Sequence, residues 1–412
     1  MQLVAYGAQD IYLTGNPQIT FFKVVYRRHT NFAMESIEQT FNGNADLGNR
    51  VTATISRNGD LVKDMWLECE LPTVGGVSTP TWVYGVGNAM VKQVEVEIGG
   101  QLIDRHYGAW MNIWTELSVP EGKRAGYDNM VGNSTSGASQ AGSRVATAVV
   151  RTYTPLQFWF NRNPGLALPL IALQYHEVKL NLELRPLAEL LHGGNTSAAT
   201  TSSNFNCKLY VDYIYLDTDE RRRFAQVSHE YLIEQVQFTG DESLSAGSNN
   251  VKLNFNHPVK ELVWAGVLDA HNTALTTTTL NNANGNRWFT FSGSAANDTT
   301  DFFGTAKLQL NGHDRMSARN ADYFRKVQSY KHHTRVPRTH DVNADNRSQF
   351  IYTYSFALNP EEHQPSGTCN FSRIDNATLV LSDAVAGTLK VFAVNYNVLR
   401  VMSGMGGLAY SN

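Results

Sequence analysis

The chain has 412 residues, of which 42% are hydrophobic and 17% are charged, a composition typical of globular proteins with room for two cores of ordinary size. The formal net charge of -3 argues against a surface dedicated to neutralising phosphates, so no direct nucleic-acid binding is predicted. The longest apolar run, residues 165–173, is too short for a transmembrane segment and contains Pro169, and the start lacks the features of a secretory signal.

The first predicted element is an amino-terminal arm at residues 1–26, which precedes the first repeated landmark of the chain. It mixes turn-forming Gly, Asn and Pro residues with one apolar segment at residues 19–25. This segment is consistent with an arm that packs on a neighbour or an inner layer, and nearly as consistent with a simple edge strand.

Runs of alternating apolar and polar residues dominate the chain after the arm. Alternation places one side of each run in a core and the other in water, which is typical of half-buried strands. The runs are residues 50–55, 92–98, 178–184, 251–255, 307–310 and 389–394. Turns rich in Gly, Asn and Pro separate them, which favours an all-β fold of antiparallel sandwiches over a parallel sheet with crossover helices.

One short helical pattern follows a glycine turn in each half of the chain. Apolar residues spaced three and four positions apart predict a helix that lies on the end of a sheet. The residues are Tyr107, Trp110, Met111, Trp114 and Leu117 in the first half, and Tyr323, Phe324, Val327 and Tyr330 in the second. Between the halves, the charged residues 216–224 predict a short connector that keeps two sandwiches side by side.

Landmarks of the first half return in the second half in the same order. Phe160 and Phe356 lie 196 positions apart, and other pairs keep a similar offset. These pairs are the Asn-Pro steps at 163–164 and 359–360, the Ile-Glu-Gln segments at 37–39 and 233–235, and the turns that end in Gly100 and Gly312. The offset drifts between pairs, as loops of unequal length would cause in a tandem duplication. We therefore predict two similar domains at residues 27–218 and 219–412.

Motifs that would indicate an enzyme are missing from the sequence. Two His-Glu steps, at 176–177 and 229–230, each begin a zinc-protease pattern that is not completed, and no nucleophile elbow or phosphate-binding loop occurs. The chain has three cysteines, Cys69, Cys207 and Cys369. They lie far apart in the sequence and lack metal-ligand spacing, so no disulfide framework is predicted. No catalytic residue, cofactor or metal ligand is therefore predicted.

Three short basic runs, at residues 27–29, 221–223 and 331–333, have acidic or apolar neighbours. A nucleic-acid site needs a broader basic surface than any of these runs provides. We interpret them as solvated faces or subunit contacts.

Six Asn-x-Ser/Thr sequences occur in the chain, about as many as its Asn, Ser and Thr content would give by chance. Three of them fall in polar insertions that we expect to be surface loops, and these are the candidate glycosylation sites: Asn133, Asn195 and Asn297.

Three long blocks resemble a known family. They begin with Gly7-Ala-Gln-Asp-Ile-Tyr-Leu-Thr-Gly-Asn-Pro17, Gln364-Pro-Ser-Gly-Thr-Cys-Asn-Phe-Ser372 and Asn395-Tyr-Asn-Val-Leu-Arg-Val-Met402. The likeness runs from the first residues to the last. The chain resembles the major capsid proteins of large icosahedral double-stranded DNA viruses, in particular those of the algal, chlorella-infecting branch.

The resemblance implies a fold and a function. The fold is a double jelly roll, with two consecutive eight-stranded antiparallel sandwiches and short helices in the connecting loops. The function is that of a structural subunit of the virion, which is assembled in the host cytoplasm. Three copies of the chain form a homotrimer, and this nearly hexagonal capsomer tiles the shell. Implied partners are neighbouring capsomers, minor capsid proteins and covalent glycans, with the arm facing inward near an internal membrane.

Two other classes fit parts of the same sequence. Jelly rolls also serve as lectins, so a tandem carbohydrate-binding protein is the alternative; it would need exposed aromatic and polar residues gathered in one groove. A hydrolase built on two sandwiches would need clustered acids or a metal site in a cleft, and the motifs above do not supply one.

Overall fold

The computed structural model describes residues 7–24, 26–75, 81–133, 149–192, 200–201, 205–274, 285–294, 300–337 and 349–410. Strands make up most of the ordered elements, and every pairing between named strands is antiparallel. Short helices lie between the strands. The antiparallel, all-β class predicted from the alternating runs is confirmed.

The strands between residues 32 and 216 make up the first half. They are β1 (Phe32–Gln39), β2 (Phe41–Asn42), β3 (Arg50–Thr54), β4 (Leu61–Leu71), β5 (Val74–Gly75), β6 (Thr81–Trp82), β7 (Val91–Ile98), β8 (Gln101–Tyr107), β9 (Val150–Pro155), β10 (Leu168–Pro169), β11 (Val178–Leu184), β12 (Leu191–His192), β13 (Thr200–Thr201) and β14 (Asn206–Leu216). One large sheet has the order β1-β14-β4, with β9 and β10 both paired to β4, and the other has the order β2-β3-β11-β7-β8.

The strands after residue 228 make up the second half. They are β15 (His229–Leu244), β16 (Gly247–Lys252), β17 (Pro258–Val267), β18 (Thr305–Leu310), β19 (His313–Asp314), β20 (Arg319–Asn320), β21 (Ile351–Ser355), β22 (Cys369–Asn370), β23 (Ala377–Ala384), β24 (Gly387–Met402) and β25 (Met405–Leu408). One sheet has the order β15-β24-β17, with β21 and β22 both paired to β17, and the other has the order β16-β23-β18-β19.

The two halves share one topology. Eight principal strands in each half build the two large sheets: β1, β3, β4, β7, β8, β9, β11 and β14 in the first half, and β15, β16, β17, β18, β19, β21, β23 and β24 in the second. When they are numbered 1 to 8 in chain order, one sheet has the order 1-8-3-6 and the other 2-7-4-5 in both halves. First and last strands are therefore neighbours in both sandwiches, which is the jelly-roll arrangement. Of the remaining short strands, β6 pairs with β12 and β5 with β13 in two separate two-stranded sheets, and the others pair with strands of the large sheets.

The matched turns of the sequence repeat are matched in backbone geometry. Gly99 and Gly100 join β7 to β8 with φ of 59° and 82°, and Asn311 and Gly312 join β18 to β19 with φ of 52° and 79°. Two consecutive positive φ angles belong to the tight hairpin turn whose twist suits antiparallel strands, and Gly and Asn tolerate them best. The repeat thus preserved residues that the turn requires.

Buried apolar side chains alternate with polar ones along most of the predicted runs. Residues 178–184 coincide with β11, and residues 50–55 and 92–98 match β3 and β7 within one residue. The run at 251–255 is only partly a strand, because β16 ends at Lys252. The apolar faces of all four large sheets contribute to the main hydrophobic core.

The helices are short. They are α1 (Ile11–Thr14), α2 (Val86–Ala89), α3 (Gly108–Ser118), α4 (Glu121–Met130), α5 (Trp159–Arg162), α6 (Thr218–Gln226) and α7 (Gln328–His332). Helix α3 buries the predicted stripe of Trp110, Met111, Trp114 and Leu117. The second stripe forms a π-helical turn, Tyr323–Val327, followed by α7, and it is only partly buried, since Tyr330 is 79% exposed.

The charged connector between the halves is helical, which the sequence pattern did not predict. Asp217 caps α6 by accepting a hydrogen bond from the backbone nitrogen of Thr218, and Asp219 and Glu220 lie in the first turn. Negative side chains at this end stabilise a helix because they are attracted to the partial positive charge at its amino terminus. Arg221 then pairs with Asp60 of the first half at 3.0 Å and holds the connector against it.

Candidate functional site

Edge strands of the two halves meet directly. Strand β8 lies at the edge of one first-half sheet and β15 at the edge of one second-half sheet. The backbone nitrogen of Val236 donates a hydrogen bond to Asp104 Oδ1 at 3.1 Å, and Gln235 Nε2 donates to the carbonyl oxygen of Ile103. Each edge therefore shields the other from pairing with a foreign strand.

Aromatic side chains pack across this junction. The ring centroid of Trp110, on α3, lies 5.3 Å from that of Phe392, on β24, and Tyr107 lies 4.9 Å from Phe238. Phe238 and Phe392 stack at 4.7 Å. Trp110 and Phe392 are fully buried. The junction is thus part of the main apolar core, and the predicted side-by-side placement of the halves follows from it.

A buried ion network crosses the junction beside this core. Glu116, on α3, is fully buried and pairs with both Arg124 of the first half and Arg335 of the second. Arg335 also donates from Nε to the carbonyl oxygen of Glu116 at 2.9 Å. Asp128 contributes a second carboxylate to Arg124 at 3.1 Å. Two arginines and two carboxylates therefore compensate one another out of water.

A second ion network crosses at Glu234, on β15. Its carboxylate lies 3.1 Å from the Arg162 guanidinium of the first half and 2.7 Å from Nζ of the buried Lys260. Burial alone would raise the pKa of Glu234, but the ring of His363, whose Nδ1 lies 3.8 Å from Oε1, and the charges of Lys260 and Arg162 lower that pKa to about 2. Glu234 is therefore ionised across the range in which proteins are stable.

The corresponding glutamate of the first half has a different environment. Glu38, on β1, is 42% exposed and pairs with Lys208 at 3.1 Å on the outer face of its sheet. Glu38 and Glu234 occupy the same position of the repeated Ile-Glu-Gln segment. The duplication therefore supplied one glutamate to the surface and one to the junction.

His333 lies buried between two glutamates. Its Nε2 is 3.1 Å from Glu261 Oε2, and its Nδ1 is 3.0 Å from Glu361 Oε1. Burial alone would lower the pKa of His333, but the charges of Glu261 and Glu361 raise it to about 9. The interpretation of residues 331–333 as a solvated or subunit-contact run is wrong for His333, because its ring is enclosed within its own chain.

We expect the free energy of unfolding to be highest between about pH 4.5 and 6.5 as far as His333 and Glu234 determine it. The folded-state pKa of His333 is raised from 6.5 to about 9, so its contribution is complete below pH 6.5 and is lost as the pH rises through 9. Glu234 contributes fully above pH 4.5 and loses that contribution as the pH falls towards 2. The alkaline loss should reach about 3 kcal/mol, measured by urea unfolding at a series of pH values.

Two histidine variants separate this effect from general alkaline destabilisation. His333→Gln should flatten the decline between pH 6.5 and 9, whatever its effect on absolute stability. His332→Gln, at the partly buried neighbour on α7, should leave the decline unchanged. An equal slope in wild type and His333→Gln would contradict the prediction.

The carboxyl-terminal hairpin of β24 and β25 also rests on the first half. The backbone nitrogen of Tyr175 donates to the carbonyl oxygen of Gly404 at 2.9 Å, and the nitrogen of Leu408 donates to Gln101 Oε1 at 3.2 Å. A Cβ atom at Gly406 would lie 2.5 Å from a methyl carbon of Leu173, so glycine permits this close approach. These contacts join those of the edge strands, the aromatic side chains and the ion networks in holding the two halves together.

Large apolar side chains are exposed in the arm and in the second half. In the described part of the arm, Tyr12 is 90%, Phe21 88% and Phe22 97% exposed, and no β-strand forms. On the second half, Tyr330 of α7 is 79% and Leu358 72% exposed. A hydrogen bond of 2.9 Å between His332 Nδ1 and the carbonyl oxygen of Leu358 ties the two segments together. Clustered exposed apolar side chains are typical of surfaces that contact other proteins.

Asn133, predicted as an accessible glycosylation site, is buried. Only 1% of it is exposed, its Oδ1 accepts a hydrogen bond from the backbone nitrogen of Gly85, and its Nδ2 donates to Asp128 Oδ1 at 3.1 Å. The acceptor nitrogen is therefore engaged inside the fold, and the expected accessibility is wrong. Asn195 and Asn297 lie outside the described residues and stay predictions.

The described ranges contain no group of three or more His, Cys, Asp or Glu side chains placed to share a metal ion. Within the same ranges, none of the helices combines the length and the apolar composition that crossing a membrane requires.

Two family descriptions match consecutive parts of the chain. "Major capsid protein N-terminus" matches residues 20–217, and "Large eukaryotic DNA virus major capsid protein" matches residues 220–407. The chain is 56% identical over 427 residues to the major capsid protein of Pyramimonas orientalis virus, with 100% of this chain and 99% of that protein covered. It is 44% identical over 458 residues to the major capsid protein of Paramecium bursaria Chlorella virus 1, with the same coverage.

Solved structures agree with these matches. The chain superposes with a TM-score of 0.78 on a chain of the quasi-atomic PBCV-1 virus capsid, at 40% identity and with 95% of this chain and 100% of that chain covered. The Faustovirus major capsid protein gives a TM-score of 0.74 at 13% identity, which shows a shared fold, with 96% and 94% covered.

Two jelly rolls joined in one chain define the double jelly-roll class of viral capsid proteins. The chain belongs to the family of major capsid proteins of large eukaryotic DNA viruses. It is a structural protein of the virion, and the resemblance to the chlorella-virus branch is confirmed.

Proposed function

We propose that three copies of this chain associate into a capsomer of nearly hexagonal outline, and that such capsomers tile an icosahedral shell. The observation that carries the proposal is the close pairing of two like sandwiches in each chain. Three chains place six such sandwiches around an axis, so a threefold oligomer approaches sixfold shape. Closed rings of this kind are a common solution for homo-oligomers.

The domain boundaries fit the same proposal. Residues 27–218 form the first jelly roll, residues 219–412 the second, and residues 1–26 the arm. The two family matches meet between residues 217 and 220, beside helix α6, which supports this division.

The exposed side chains of Tyr330 and Leu358 contribute to the contact between chains in the trimer. Both are large and apolar, and the hydrogen bond between His332 Nδ1 and the carbonyl oxygen of Leu358 holds their segments together. The arm serves a different contact, on the inner side of the shell, with minor capsid proteins near an internal membrane. Its apolar side chains find no cover within the described part of their own chain.

Purified full-length chain should run as a trimer in size-exclusion chromatography with light scattering at micromolar concentration. The double variant Tyr330→Lys and Leu358→Lys should weaken the trimer roughly tenfold or more, because charges would replace apolar contacts at its interface. Lys331→Ser, on the same helix, and deletion of residues 1–26 are matched controls that should keep the trimer. A full-length chain that stayed monomeric at high concentration would overturn the capsomer proposal.

Covalent glycans on outward loops complete the proposed surface, with Asn195 and Asn297 as the remaining candidate acceptors. Glycopeptide mass spectrometry of protein from virions tests them, and unmodified peptides at both positions would remove these two sites. Binding of the trimer on a glycan array would instead favour the carbohydrate-binding alternative.

A further inference from the structure

Two cysteines that are distant in the sequence face each other in the first jelly roll. Cys69 lies on β4 and Cys207 on β14, and the two residues are direct partners in the antiparallel register. Their sulfur atoms are 3.1 Å apart, although 138 positions separate the residues in the chain. Cys69 is fully buried, and Cys207 is 8% exposed.

The sheet places these residues within the range that a disulfide requires. Directly opposed residues of antiparallel strands have Cα atoms roughly 4.5–5.5 Å apart, and disulfides span Cα distances of roughly 4.4–6.8 Å. Opposed residues also point to the same face of the sheet, here towards the core. Bond formation needs the sulfur atoms to approach by about 1 Å, which side-chain rotation can supply without moving the strands.

We propose that Cys69 and Cys207 form an intrachain disulfide that locks the first jelly roll, with a low-molecular-weight disulfide such as oxidised glutathione as the oxidant. The thiolate of Cys207 attacks the small disulfide, forming a mixed disulfide and releasing one small thiol. The thiolate of Cys69 then attacks the Cys207 sulfur and releases the second small thiol. The two cysteine protons end on the two released thiols, and the two electrons lost by the cysteine pair reduce the small disulfide.

The surroundings of the pair determine when the bond can form. The hydrogen bond with Cys207 and burial raise the pKa of the Cys69 thiol, and the thiolate is the reactive species. Closure should therefore be slow in the folded chain and faster while the chain refolds. Cys207 is the entry point, because it is the second residue of its strand and the more exposed member of the pair.

Cys369 provides an internal comparison. It is the third of the three cysteines in the chain, lies on the short strand β22 of the second jelly roll and is half-buried. It lines a cavity of about 540 Å³ together with His313, Arg315 and Tyr354. Closure of the proposed bond leaves Cys369 as the single free thiol.

The test counts free thiols in the full-length chain. Protein refolded with oxidised glutathione is denatured without reductant, treated with N-ethylmaleimide and weighed by intact mass spectrometry. We expect one adduct, on Cys369, and three adducts after reduction. Peptide mapping should recover the peptides of Cys69 and Cys207 as a linked pair. Three adducts without reduction would overturn the proposal, whatever the behaviour of any variant.

Thermal unfolding tests the stabilising role of the bond. Reduction should lower the Tm of the oxidised chain by roughly 10 °C, because the bond closes a long loop. Cys207→Ser should remove this dependence on reductant, and Cys369→Ser should keep it. A wild-type Tm that did not respond to reductant would show that the bond, even if formed, does not lock the fold.

Discussion

Replacing Glu116 with glutamine is expected to lower the free energy of unfolding by about 3–5 kcal/mol. The fully buried Glu116 carboxylate pairs with Arg124 and Arg335 from the two halves of the chain. An amide would leave two buried guanidinium groups with too little negative charge, and removal of one partner from a buried ion network has a large cost for that reason. Urea unfolding at matched protein concentration measures the change.

Glu121 offers a matched control in the same network. It pairs with Arg335 at 3.4 Å, but its side chain is 75% exposed. Since water screens exposed pairs, Glu121→Gln should cost less than about 1 kcal/mol. Similar losses for the two variants would show that burial of the network does not determine its contribution.

Trp110→Ala is expected to cost about 3–5 kcal/mol, the range found when large aromatic residues are removed from a core. Trp110 is fully buried and contacts Phe392 of the second half and Trp114 of its own helix. The variant leaves a cavity between the two jelly rolls that neither half can fill alone. We therefore also expect faster proteolysis near α6, measured by limited digestion.

Trp110→Phe is the control for this prediction. The indole Nε1 of Trp110 has no hydrogen-bond partner within the described ranges, so phenylalanine removes an unpaired donor while it keeps a ring in contact with Phe392. We expect a loss of no more than about 1.5 kcal/mol. A loss as large as that of Trp110→Ala would mean that the indole nitrogen, and not the ring volume, is what the junction needs.

The sequence predicted the local part of this fold. Alternation located β3, β7 and β11 to within a residue, because each strand has one buried and one exposed face. The paired turns at Gly100 and Gly312 were recognisable because positive φ angles restrict the residues that can occupy them. The exposed Tyr330 escaped prediction, since spacing alone does not tell whether an apolar side chain meets its own core or another protein.

The junction between the halves could not be predicted from the sequence. Arg335 and Glu116 lie 219 positions apart, and neither belongs to a repeated landmark. Cys69 and Cys207 looked unrelated for the same reason, until strand pairing placed them side by side. Glu234 did stand in a repeated segment, but its copy Glu38 is exposed, so the repeat did not reveal the role at the junction. Pairings of this kind arise from the register of strands and from domain docking.

The different surroundings of Glu38 and Glu234 have an evolutionary consequence. The two copies are not interchangeable, because only the glutamate of the second copy lies among Lys260, Arg162 and the neighbouring domain. A chimaera carrying the first jelly roll twice would retain the overall symmetry but lose the means to join its halves. Natural substitutions should therefore accumulate more freely at position 38 than at position 234.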